Sequence, residues 1–139
     1  MNRKFYFDTS IWLDFFENRD EPNLPKGKWA KALVRKIISK SDKIVYSDLT
    51  LIELEGAGYS RYDVEDLLKP LSLVILFVET TEKQLGKSKD LSFKRNIPRK
   101  DALHALIARD IGATLVTLDH HFQRILDIIK PFRTNELIG

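Results

Sequence analysis

The 139 residues carry 23 Lys+Arg against 20 Asp+Glu, a formal net charge of +3, with 43% hydrophobic residues and no cysteine. That length allows one domain and is short for two, and the apolar fraction supports a buried core where a disordered chain would have too little. The lack of cysteine excludes disulfides, thiolate metal sites and a cysteine nucleophile.

Taken in chain order, strand-like and helix-like patterns alternate. Phe5-Tyr6-Phe7 reads as a short strand, followed by a helix over Ile11 to Glu17 with Trp12, Phe15 and Phe16 on it. Core packing is the first reading of that aromatic cluster, and a partner surface the second. Trp29, Leu33, Ile37 and Ile38 recur at helical spacing between Gly27 and Ser41. Ile44-Val45-Tyr46 is a second strand, and Thr50-x-x-Glu53 fits a capping box for the helix behind it. Ser60 can cap a helix over Tyr62 to Lys69 that Pro70 ends. Leu73 to Val78 is continuously apolar, as expected of a strand buried on both faces. It is the longest such run and far too short to span a bilayer.

Thr80 or Thr81 can cap a helix starting at Glu82, and Pro98 suits the first turn of another, with Ala102, Leu103, Leu106 and Ile107 as its apolar face and Gly112 at its end. Thr114 to Leu118 is a fourth strand, and Phe122, Ile125, Leu126 and Ile129 form a last apolar stripe before Pro131. The alternation predicts a single α/β domain over 1–139, with a mostly parallel four- to five-stranded sheet flanked by helices. Asp8 interrupts the apolar stretch behind the basic Arg3-Lys4, so no secretory segment is read there, and a cytoplasmic protein without membrane contact is expected.

In parallel sheets, ligands bind beyond the carboxyl ends of the strands. Asp8 directly follows the first strand and Asp119 the fourth, while Asp101 lies in the first turn of the Pro98 helix and Glu53 among Leu49, Leu51, Ile52 and Leu54. Each alone has a plainer explanation as a helix cap or a first-turn acid. Together, four carboxylates at one end of a sheet would repel one another unless a divalent cation neutralised them. Oxygen ligands favour Mg²⁺ or Mn²⁺, which can activate a water against a phosphodiester. Ser10 and Thr117 are hydroxyls placed to orient the carboxylates or their waters.

Phe7-Asp8-Thr9-Ser10, Thr50-Leu51-Ile52-Glu53-Leu54, Asp101-Ala102-Leu103-His104 and Thr117-Leu118-Asp119 together resemble the ordered motifs of PIN-domain ribonucleases, whose small prokaryotic members are the VapC-type toxins. The resemblance covers nearly the whole chain. It implies a Mg²⁺- or Mn²⁺-dependent endoribonuclease with Asp8, Glu53, Asp101 and Asp119 as its catalytic metal ligands. It also implies Ser10 and Thr117 as the accompanying hydroxyls, RNA as substrate, an antitoxin protein as partner, and a homodimer.

Other residues carry weaker signals. His104 reads first as a helix side chain beside the apolar face, and His120-His121 as a loop pair; metal-free acid–base cleavage would need two such groups. Asp14 is a minor addition to the acidic set. Lys87, Lys89, Lys94, Arg95, Arg99 and Lys100 face Asp90 alone in the run leading to Asp101, either as a solvated surface or as an RNA-binding one with Phe93 available for stacking. Two rival functions follow from the same residues. One is a non-catalytic RNA-binding module with a vestigial acidic pocket. The other is a phosphoryl-accepting signalling domain, for which Thr9 and Ser10 stand where a second acid is wanted.

Overall fold

In the computed structural model, which describes residues 2–139, the sequence patterns become layers around one sheet. β1 (Lys4–Phe7) is followed by α1 (Thr9–Glu17), a small antiparallel hairpin of β2 (Asp20–Glu21) and β3 (Leu24–Pro25), and α2 (Lys26–Ser39). β4 (Lys43–Ser47) leads into α3 (Asp48–Gly56) and α4 (Arg61–Leu68), and a 3₁₀ turn over Lys69–Leu71 leads to β5 (Ile75–Val78). Then come α5 (Glu82–Arg95), α6 (Arg99–Asp110), β6 (Thr114–Val116), a 3₁₀ segment over His120–Ile125, β7 (Pro131–Phe132) and α7 (Thr134–Leu137).

Ser60 and Thr81 cap α4 and α5 as their sequences predict, each in a capping box closed by Asp63 and Gln84. The box at α3 is different from the expected one. Ser47 is the cap and Thr50 closes the box, because the helix begins at Asp48. Glu53 therefore sits in the second turn, released from capping.

The sheet has five strands in the order β5-β4-β1-β6-β7, and every neighbouring pair is parallel. The pleat sends Phe5, Phe7, Ile44 and Val116 to one side, where Ile11 and Trp12 of α1 and Leu33 and Ile37 of α2 cover them. Tyr6, Val45 and Leu115 point to the other side, against Leu91 of α5 and Leu103, Leu106 and Ile107 of α6. Every residue of α6 from Ala102 to Ala108 is buried, since that helix lies between the sheet and α5.

Three expectations are corrected by the tertiary arrangement. Leu73 to Val78 is not a strand buried on both faces: only Ile75–Val78 is extended, and Leu76 and Phe77 remain 39% and 45% exposed. That strand is the sheet's edge, paired with β4 alone, so the helices over the central strands leave it partly open. The last apolar stripe is a 3₁₀ segment in which Phe122 and Ile125, one turn of three residues apart, are buried while Leu126 is exposed. On α2 the inward face is Ala30, Leu33, Val34 and Ile37, and Ile38 turns outward.

From β1 the chain moves outward to β4 and β5, then returns across the sheet to place β6 on the free side of β1. The strand order thus reverses between β1 and β6, and a crevice opens beyond their carboxyl ends.

Candidate active site

The first carboxylate is placed by the sheet itself. The backbone N–H of Asp8 donates to Val116 O at 3.1 Å, so Asp8 continues β1 one residue past the strand and over β6. Its side chain caps α1, accepting from Ile11 N at 3.2 Å. Ser10 Oγ donates to Oδ1 at 2.5 Å, and Thr117 Oγ1 donates to Oδ2. Capping and convergence on the crevice are therefore one arrangement. Asp8 is 6% exposed, and burial pushes its carboxyl above the usual range against the pull of the Ser10 and Thr117 hydroxyls and the His104 ring.

Thr117 joins the second strand end to the first. Its hydroxyl donates to Asp8 and accepts from Asp119 N at 3.0 Å. Asp119 in turn caps the 3₁₀ segment, accepting from His121 N at 2.8 Å. Asp101, in the first turn of α6, faces both other acids. Burial, then the charges of Asp119 and Asp8, push its carboxyl up to about 6, opposed by His104 and His121.

His121 Nδ1 lies 2.9 Å from Asp119 Oδ1 and 3.2 Å from Asp101 Oδ2, buried but without a well-aligned hydrogen bond. One donor atom from each of Asp101, Asp119 and His121 lies within 4.8 Å of the others. Two carboxylates and an imidazole suit a divalent cation, and the poorly aligned buried nitrogen is a donor such an ion could use. The sequence places His120-His121 in a loop; the 3₁₀ turn capped by Asp119 brings the His121 ring toward Asp101 and Asp119.

Glu53 does point inward, as its apolar neighbours predicted, but its partners are protein groups. Thr9 Oγ1 donates to Oε1 at 2.7 Å, and His104 Nε2 donates to the same oxygen. Burial alone would raise the Glu53 carboxyl; the His104 hydrogen bond and charge, the Thr9 hydroxyl and Lys100 hold it below the usual range. His104 is 2% exposed, and its Nδ1 is 2.6 Å from Tyr6 Oη, which lies 2.8 Å from Ser47 Oγ. The reading of His104 as an ordinary side chain beside the apolar face is thus corrected, because α6 is buried all round. Tyr6, Thr9 and Ser47 join this network without having been singled out. The one signal for Tyr6 is a hydroxyl in an otherwise apolar strand, which takes a hydrogen-bond partner when buried.

Part of the basic run is paired with acids. Lys94 pairs with Asp90 at 3.2 Å, and Arg95 makes a two-pronged contact with Asp127 at 2.6 and 2.9 Å. Arg99 and Lys100 open α6 beside Asp101, and Lys87 lines a separate cavity with Lys83 and Arg109. Lys89 and Phe93 are exposed on α5. Asp14 is buried on α1, and burial pushes its carboxyl up to about 6 against Lys26 and Arg19.

A family model for the PIN domain matches residues 5–127, a span containing all four acids and their hydroxyl partners. The chain belongs to the PIN domain family. Solved structures with this PIN fold include VapBC-1 from nontypeable Haemophilus influenzae, with a TM-score of 0.66 at 23% identity over 95% of this chain and 98% of that one. A toxin–antitoxin complex from Klebsiella pneumoniae gives a TM-score of 0.65 at 18% identity, covering 93% of this chain and 98% of that one. VapBC2 from Rickettsia felis, bound to a DNA fragment from its promoter, gives 0.63 at 20% identity, with 94% and 98% covered. At such identities the likeness is one of fold. None of the curated proteins compared matches this PIN-domain sequence. Among the described residues no helix is long and apolar enough to cross a membrane.

Proposed function

We propose that this PIN domain is a Mg²⁺- or Mn²⁺-dependent endoribonuclease and the toxin of a toxin–antitoxin pair. The observation that carries this reading is the meeting of Asp8, Asp101 and Asp119 at the β1–β6 crevice, where burial and then the charges of Asp119 and Asp8 raise the Asp101 carboxyl. A site arranged against its own electrostatics is the expected signature of function. Asp101 and Asp119 would hold a divalent cation, with Asp8 and Glu53 completing the acidic set. When bound, such an ion supplies Lewis-acid charge at a phosphate and lowers the pKa of water. The chain's own groups do the rest. Ser10, Thr117 and Ile11 N fix both oxygens of Asp8, Asp119 is held as a cap, and Arg99 and Lys100 offer positive charge to an RNA backbone. The antitoxin partner is inferred from relatives of the same fold that are solved as toxin–antitoxin complexes, and the homodimer from the family resemblance.

Incubation of a structured RNA with a Mn²⁺ titration tests the chemistry. Cleavage that rises with Mn²⁺, leaves 5′-phosphate ends, stops in EDTA and is lost in Asp8→Asn supports it. Undiminished cleavage in EDTA overturns it, and RNA binding without turnover under either metal would return the non-catalytic reading. For the toxin role, induced expression in a bacterial host should arrest growth, and Asp101→Asn should relieve the arrest.

A further inference from the structure

A chain of hydrogen bonds crosses the interior from the end of β4, where Ser47 caps α3, back to α3 itself. Ser47 Oγ caps the helix by accepting from Thr50 N at 3.3 Å, and lies 2.8 Å from Tyr6 Oη on β1. Tyr6 Oη lies 2.6 Å from His104 Nδ1 on α6, and His104 Nε2 meets Glu53 Oε1, back on α3. A carboxylate only accepts, so Nε2 donates to Glu53, while Nδ1 and the Tyr6 and Ser47 hydroxyls complete the line of contacts. The imidazole sits in the most buried helix of the protein, among alanines and leucines, where an unsatisfied ring nitrogen would be costly. Both donors to Glu53, Thr9 and His104, take the same oxygen, Oε1. Among the described residues no protein donor engages Oε2.

We propose that His104, fixed by Tyr6, is a positioning residue that holds Glu53 by one carboxylate oxygen and leaves the other for the metal. The inference rests on the metal-site reading above and extends it to residues that touch neither the ion nor the RNA. Partners one shell out from a ligand fix its orientation, and their loss costs about 10–100-fold in metal affinity.

The test is Mn²⁺ affinity measured by calorimetry, without RNA, in the wild type, Glu53→Gln, His104→Leu, the double variant and Tyr6→Phe. Glu53→Gln and His104→Leu should each weaken Mn²⁺ binding by about 10–100-fold, and the double variant should bind no worse than Glu53→Gln alone. Tyr6→Phe, which keeps the ring packing, should weaken it about fivefold, again with no further loss when combined with Glu53→Gln. His104→Gln, which keeps a donor near Nε2, should recover much of the affinity lost in His104→Leu. A merely structural role predicts losses that add in the double variants, and that result overturns the proposal. So does wild-type affinity in His104→Leu or Tyr6→Phe alongside a weakened Glu53→Gln. If Glu53→Gln itself binds Mn²⁺ as the wild type does, Glu53 is not a ligand and its place in the metal site falls too. Should His104→Leu fail to fold, the Tyr6→Phe cycle decides alone.

Discussion

Replacing Asp101 by Asn should stabilise the metal-free protein while destroying its site. Its carboxyl is pushed from 3.8 up to about 6, first by burial and then by Asp119 and Asp8. The folded state therefore binds the Asp101 proton more tightly than the unfolded chain does. Stability is favoured as pH falls from about 6 toward 3.8 and is lost as pH rises through that window. Two units at about 1.4 kcal/mol each give an upper bound of about 3 kcal/mol of penalty above the window. The side chain is 20% exposed, so solvent screens part of it. Asn also forfeits the favourable first-turn charge of α6, worth ~0.3–1 kcal/mol. The net expectation is a gain of about 1–2 kcal/mol, or about 3–8 °C in Tm for a chain of this size. The assay is thermal unfolding of wild type and Asp101→Asn in EDTA at several pH values. The gain should be present at about pH 7.5 and should shrink steadily as pH falls toward 4, near the carboxyl's ordinary value. A variant less stable than the wild type at about pH 7.5, or a gain that persists undiminished near pH 4, would refute the account of a carboxyl raised by burial and neighbouring acids.

Thr117→Val removes the donor to Asp8 Oδ2 and leaves a buried carboxylate oxygen unpaired, which should cost about 1–3 kcal/mol in urea unfolding. Gly27→Ala should destabilise by at least about 1–3 kcal/mol, because a Cβ there would stand 2.6 Å from the backbone of Asn18. Leu73→Ser should change stability by no more than about 0.5 kcal/mol despite its place in the most apolar run, since Leu73 is 87% exposed; a loss of core size would contradict its place outside the core.

Much of the fold was readable because its signals are local. Strand runs, the caps at Ser60 and Thr81, and the inward face of α6 follow from residue type and spacing within a dozen positions. Leu73 to Val78 misled because an apolar run records only that burial is available, while exposure depends on where the strand falls in the sheet order. The candidate site divides the same way. Asp8 is legible because strand ends are; Asp119 lies three residues past β6, which stops at Val116 and not at Leu118, and it is Thr117 that links the two. His104 was set aside because nothing within its own helix shows that Tyr6 and Glu53, 98 and 51 positions away, converge on its two ring nitrogens.

The sequence by itself therefore determined an alternating α/β chain, acids near two strand ends and on two helices, and the exclusion of thiolate chemistry by the absence of cysteine. Tertiary structure decided which of those groups meet. The reversal of strand order between β1 and β6 opens the crevice and brings Asp8, Asp101 and Asp119 into one electrostatic field. It also gave Glu53 an imidazole for a partner and drew His121 beside Asp101 and Asp119. Spacing along a chain fixes which face of a helix or strand a residue occupies, but the meeting of four elements depends on how the sheet is wound.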